Sequence, residues 1–307
     1  MFADRSLLDY GFNRIIKEYA GFPQWLPLPC HCEHGWTVAP DPLATDLNTA
    51  KGLMLVYSRR REKAWKARSS IPVRIIGDPL LQYRRLHGIQ QSPTARGTIA
   101  FPSHSTPWAD ALFDIHEYCR LLRNLPCEFQ PVTVCLHSDD VQSGKGEPYG
   151  KNGFEVVTAG NRFDPDFAAN FFANLRRHRY ATSNDVGSYI LYAVELSIPF
   201  FFLGEVPLHD NCRNDPNEPR RFRKTDYPIG KQAYTLFSKA PAGEITSEQR
   251  RFVAEESGLL DCIGPQDLRK LLWQKLLGWE LRRGAVWLVS AAGRKIRRCV
   301  SAVVGRA

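Results

Sequence analysis

Residues 180–205 read YATSNDVGSYILYAVELSIPFFFLGE and place a strand end, a polar loop, a helix and a second strand in one short segment. Thr182, Ser183 and Asn184 are helix N-cap types, and Val186, Ile190, Ala193 and Val194 follow at helical spacing, so a helix is expected to begin near Asp185. Gly187 and Ser188 would occupy its first turn, where free backbone N–H groups and the positive end of the helix dipole favour an anion. Glycine would let that anion approach closely, and the serine hydroxyl would add a donor. Pro199 should stop the helix, and Phe200, Phe201, Phe202 and Leu203 read as a strand buried on both faces. Glu205 then stands at that strand's carboxyl end, where open α/β sheets bind their ligands. An ordinary capped helix packing on a sheet would carry the same cap residues.

Working outward, the preceding chain repeats strand, polar loop and helix as a parallel doubly wound sheet does. Expected strands at 98–101, 132–136 and 153–158 end in Ser103-His104-Ser105-Thr106, His137-Ser138-Asp139-Asp140 and Ala159-Gly160-Asn161. Helices are expected over 108–125 and 165–179. In a right-handed parallel array these ends and the Thr182-Ser183-Asn184-Asp185 loop share one sheet edge, which makes that edge the expected ligand site.

Nearer the N-terminus, Leu7, Leu8, Phe12, Ile15 and Ile16 fit one amphipathic helix over 7–20. A short segment, 28–36, ends in His34-Gly35-Trp36, and a histidine presented before glycine at a strand end is a candidate general base, or else a surface-turn histidine. Strands are expected at 52–58 and 73–76, with a basic helix between them and a Gly77-Asp78-Pro79 turn behind. The Gly, Gln, Ser, Pro and Thr of 86–97 mark a linker. Residues 207–227 read as a long irregular loop, Thr246 and Gln249 as the cap of a helix over 246–257, and 266–283 as a longer helix. The expected organisation is therefore a short first lobe (1–90), a second lobe (91–240) and a helical extension with a basic tail (241–307).

The 307 residues, 43% hydrophobic and 24% charged, have a globular composition. No apolar run reaches the roughly 18 residues a membrane-spanning helix needs, and MFADRSLLDYGF lacks a secretory pattern, so a cytoplasmic location is expected. The eight cysteines are irregularly spaced, and reduced thiols are expected. Cys30-His31-Cys32-Glu33-His34 lacks a second ligand pair at zinc-finger spacing, and alternate residues of a strand face opposite ways, so no metal is expected there. The net charge of +9 points to anionic partners. After Glu280 come Arg282, Arg283, Arg294, Lys295, Arg297, Arg298 and Arg306 with no acid, accompanied by Trp279, Trp287, Leu288 and Val289. That pattern fits a segment lying on anionic lipid, or the solvated face of a closing helix. No recognition spacing or stacking signature points to nucleic acid.

The order of these features resembles transferases of the GT-B class, in particular bacterial glycerophosphotransferases of teichoic-acid synthesis and capsule sialyl- and Kdo-transferases. The resemblance covers roughly residues 28–205 and rests on short motifs. They are His34-Gly35, the Gly77-Asp78-Pro79 turn, Ala100-Phe101-Pro102-Ser103-His104-Ser105, and Thr182-Ser183-Asn184 followed by Ser197-Ile198-Pro199-Phe200. The family's Arg-Asn-Asp after the Gly-x-Pro turn is absent. The resemblance implies two Rossmann-like lobes of an α/β protein, the first one short, and a metal-independent transfer without a cofactor. A nucleotide-activated sugar or polyol phosphate would be the donor and a glycan or lipid-linked glycan the acceptor. His34 would be the base, and Ser103, His104, Ser105, Thr106, Ser183, Asn184, Gly187, Ser188, Gly160, Asn161 and Glu205 would hold the donor. A nucleotide-sugar epimerase, or a non-catalytic relative that binds glycan or a partner enzyme, would share this layout.

Overall fold

The computed structural model describes residues 7, 9–50, 52–105, 109–211, 219–238 and 244–278. Thr106 and the basic tail after Glu280 lie outside the described residues, as do 212–218 of the expected loop.

The protein is α/β. A 3-10 turn, Asp9–Gly11, leads into α1 (Phe12–Ala20), and β1 (His31–Cys32), α2 (Ala44–Thr49), β2 (Met54–Val56), α3 (Arg59–Arg68), β3 (Val73–Ile75) and α4 (Pro79–Leu86) follow. β1, β2 and β3 form a three-stranded parallel sheet in that order. A second parallel sheet is built from β4 (Thr98–Phe101), β6 (Val132–Cys135), β7 (Glu155–Val157), β8 (Tyr180–Ser183) and β9 (Phe200–Phe202). Its helices are α5 (Ile115–Arg123), α6 (Ser138–Gln142), α7 (Glu147–Lys151), α8 (Phe167–Leu175) and α9 (Tyr189–Glu195). A small antiparallel sheet joins β5 (Asp110–Leu112) to β10 (Leu208–Asp210) and β11 (Arg221–Phe222). The chain continues through α10 (Pro228–Phe237), α11 (Ser247–Ser257) and a helical run to residue 278.

The five-stranded order β7-β6-β4-β8-β9 places the first strand at the centre, with the chain winding outward to one side and then crossing to the other. That order is Rossmann-like, and its reversal puts a crevice between the carboxyl ends of β4 and β8. The strand period of two sorts the side chains. Ile99 and Phe101 enter one core with Leu53, Leu55 and Tyr57 of the first sheet, whereas Ala100 joins Tyr118, Leu122 and Val134 on the other face. Phe252, Leu268 and Leu272 from the C-terminal helices enter that first core too, so it runs between the two parallel sheets.

Several local expectations are revised. The first helix begins at Phe12, because Tyr10 (φ 56) and Gly11 (φ 73) are both left-handed. The helix expected over 108–125 is a strand and a shorter helix that starts where Asp114 caps it, accepting from the His116 and Glu117 N–H groups. The 207–227 loop holds two paired strands. The decisive helix begins at Tyr189 instead of Asp185, since side chains have already engaged the loop: Ser183 Oγ accepts from the Asp185 N–H at 3.0 Å, and Asp185 Oδ1 from the Val186 N–H at 2.8 Å. It ends at Glu195, ahead of Pro199, where Ser197 turns left-handed at φ 60. Phe200, Phe201 and Phe202 are buried as expected.

Candidate functional site

A cleft of about 340 Å³ lies where the ends of the two parallel sheets meet. β1 delivers His34, Gly35 and Trp36 to it, β4 delivers Pro102 and His104, β6 His137, β7 Thr158, Ala159 and Gly160, and the loop after β8 Ser188. Three of the four polar strand ends singled out in the sequence therefore contribute lining residues, whereas Thr182, Ser183, Asn184 and Asp185 are buried and only Ser188, beyond that loop, reaches the cleft.

The His34 turn is built from behind. Glu33, fully buried beside it, accepts hydrogen bonds from Arg61 Nε (2.7 Å), from a second Arg61 nitrogen and from Trp65 Nε1 (3.1 Å). α3 is basic, yet Arg61 and Trp65 point inward at helical spacing and anchor the end of β1. Trp36 is held by Glu256 of α11, which accepts from its Nε1 at 2.7 Å and from Arg60 Nε at 3.0 Å. His34 itself pairs through Nδ1 with Asp9 Oδ2 at 3.0 Å.

The opposite wall is aromatic and histidine-rich. Phe101 and Tyr189 stack with parallel rings, centroids 5.3 Å apart, and Tyr10 packs on Phe167 at 4.7 Å. His104 and His137 stack at 4.9 Å. Burial, with the Lys224 ammonium and His137 adding to it, holds His104 down at about 3, and burial also lowers His137. Both are therefore neutral at physiological pH. None of the described lining residues is Lys, Arg, Asp or Glu. Such a surface favours the face of a sugar ring or nucleobase, with imidazole, hydroxyl and backbone groups supplying direction.

Behind this wall lies a buried polar cluster at the reversal of the sheet. Asp185 Oδ2 accepts from Ser103 Oγ (2.9 Å), His209 Nε2 (2.9 Å) and Lys224 Nζ (2.8 Å). Burial alone would raise the Asp185 carboxyl, but Lys224 and His209 outweigh it and hold the group well below the usual carboxylate range. Asn184 Oδ1 accepts from the Ser103 N–H at 2.8 Å, which ties the β4 and β8 loops together.

The residues chosen from sequence thus separate. His34, His104, Gly160 and Ser188 line the cleft. Ser103, Ser183 and Asn184 are buried in the network beneath it, and Ser105 is buried against Lys145 and the Ala111 N–H. Gly187 faces the Tyr189 ring, which would stand 2.5 Å from an added Cβ, so the glycine accommodates an aromatic side chain of the protein itself. Asn161 is exposed and its Oδ1 accepts from the Phe163 N–H, while Glu205 is exposed and does not line the cleft.

Sequence reasoning passed over His137, Trp36, Tyr10, Tyr189 and Tyr192 as lining residues, and Asp9 and Asp185 as their support. His137 carried a signal, being the first residue of a polar strand end; Asp9 carried none. Among the described residues no group of three His, Cys, Asp or Glu is arranged to hold a metal ion. Comparison with known proteins adds no identity, since no protein-family model matches the chain and no curated protein matches it.

Proposed function

We propose that the protein is a GT-B-like glycosyltransferase of cell-surface polysaccharide synthesis that moves a sugar, or a polyol phosphate, from a nucleotide-activated donor to a glycan or lipid-linked glycan. The observation that carries the reading is the cleft itself: a histidine at a strand end of one parallel sheet faces the converging strand ends of a second, Rossmann-ordered sheet. In a sugar transfer His34 Nε2 takes the proton of the acceptor hydroxyl. The acceptor oxygen bonds to the anomeric carbon, and the bond from that carbon to the donor phosphate breaks, its electron pair leaving on the phosphate. His34 then releases its proton to solvent. Tyr10, Phe101, Phe171 and Tyr189 supply apolar faces for the sugar or base and keep water out. The Ser188 hydroxyl and the backbone around it are the donors offered to the phosphate, and Lys224, whose charge bears on His104, adds positive potential behind the wall.

The test is a thermal-shift panel of nucleotides and nucleotide sugars, followed by a transfer assay with glycan acceptors. At least one nucleotide should raise the melting temperature, and His34→Ala should lower turnover by about 10² to 10⁴ while donor affinity stays nearly constant. A panel without any shift, or a His34→Ala protein that turns over normally, rejects the reading. Donor breakdown or isomerisation without acceptor would favour the epimerase alternative.

A further inference from the structure

The segment just before α1 is strained in a specific way. Tyr10 is a bulky residue at φ 56, ψ 18, followed by Gly11 at φ 73, so two consecutive residues are left-handed. A non-glycine side chain is disfavoured there and persists only where its surroundings hold it. Those surroundings are explicit. The Tyr10 N–H donates to the Arg162 carbonyl, and its ring packs on Phe167 and lies 5.6 Å from His34. The turn thus delivers Tyr10 to the cleft and Asp9 to the back of the histidine.

Asp9 is buried, its side chain 10% exposed, and its two oxygens are divided: Oδ2 meets His34 Nδ1 at 3.0 Å and Oδ1 faces Arg162 Nε at 3.6 Å. The His34 side chain is 36% exposed. Among the described residues nothing in the protein meets its Nε2. A carboxylate accepts only, so a neutral imidazole must carry its proton on Nδ1 to bond with it, which leaves the Nε2 lone pair unprotonated.

We propose that Asp9 is a positioning residue that fixes the ring and the tautomer of His34, so that Nε2 is the nitrogen presented to an acceptor hydroxyl. The inference rests on the transferase reading above and deepens it. The carboxylate also faces the imidazolium that forms when the acceptor's proton arrives on Nε2, and stabilises it as the acceptor oxygen bonds to the sugar and the donor phosphate leaves. Arg162 keeps Asp9 from turning away.

The experiment has two arms on the full-length protein. Nitrogen-15 spectra of the His34 ring, assigned with His34→Gln, are recorded at about pH 8.5, where an ordinary imidazole is neutral. The wild type should show proton on Nδ1, and Asp9→Ala should shift the ring toward the Nε2-protonated form. Turnover in Asp9→Ala should drop at least about tenfold with donor affinity unchanged. Asp9→Asn, nearly isosteric, covers the case in which the alanine variant does not fold, and should lose turnover in the same direction. A wild-type tautomer and wild-type turnover in the folded variants would overturn the assignment. Because the spectra need no substrate, a tautomer that follows Asp9 in a protein that transfers nothing rejects the transferase reading while leaving the pairing intact.

Discussion

At the scale of single residues, the chemistry of the site depends on which polar groups are charged. His104 and His137 are stacked, half-buried and neutral, and Asp185 is buried yet ionised. The difference is partners. Asp185 Oδ2 has the Lys224 ammonium, the His209 ring and the Ser103 hydroxyl within 2.9 Å, whereas among the described residues the His104 ring has the Ser105 carbonyl, at 3.1 Å from Nδ1, as its hydrogen-bond partner. Asp185→Asn leaves Lys224 and His209 facing a neutral amide and should cost about 3 kcal/mol of unfolding free energy near pH 7. The carboxyl is depressed in the folded state, so its contribution is present above the unfolded value near 4 and fades as pH falls toward the folded one. Urea unfolding of both proteins from neutral to strongly acid pH checks this; a gap of constant size would contradict it.

Among the elements, α4 and α9 meet through one carboxyl. Asp78 caps α4 by accepting from the Leu80 N–H at 2.8 Å and the Leu81 N–H at 3.1 Å, and its other oxygen accepts from the Tyr192 hydroxyl at 3.1 Å. Burial raises its pKa to about 6, the three hydrogen bonds opposing but not cancelling that rise. Tyr192 lines the cleft, so the Gly77-Asp78-Pro79 turn supports the site from behind. The sign follows from the raised value. The protonated carboxyl favours the fold, an advantage that is complete below the unfolded value near 4 and is lost as pH rises through about 6. Relative to Asp78→Asn, the wild type should lose about 3 kcal/mol between pH 4 and pH 7. Thermal or chemical unfolding at both pH values measures it, and parallel pH profiles would rule it out.

For the whole molecule, the C-terminal elements complete the site although they lie far from it in sequence. Glu256 of α11 clamps Trp36 and Arg60, and Lys224, which follows β11, reaches the Asp185 cluster. Among the described residues no helix is long and apolar enough to cross a membrane. If the proposed transfer uses a lipid-linked acceptor, the basic segment after Glu280 is the part of the sequence suited to contact an anionic surface, where each nearby Lys or Arg contributes on the order of 1 kcal/mol. The full chain should float with anionic vesicles at low salt, detach at high salt, and bind poorly when shortened to end at Arg283. Equal flotation of both proteins, or indifference to lipid charge, would leave the tail without a membrane role.

What the sequence by itself determined is what repeats over short distances. The continuous apolar run Leu53, Met54, Leu55 and Val56 and the triple Phe200–Phe202 marked buried strands, and Thr246 with Gln249 marked a helix start that forms as a capping box. These signals are local because the strand pleat, the helical turn and the cap each engage residues within about four positions. The convergence of four polar strand ends was legible for the same reason, since parallel strands bring their carboxyl ends to one edge. Only the tertiary structure decided where α9 begins, for Ser183 and Asp185 compete with the helix for their own loop's N–H groups, and nothing in TSND says which will win. It alone paired Asp9 with His34, Glu256 with Trp36, and Asp185 with His209 and Lys224. Such pairs have no fixed spacing; they are chosen when packing of the sheets and helices removes water and leaves each buried charge only the partners that the fold brings within reach.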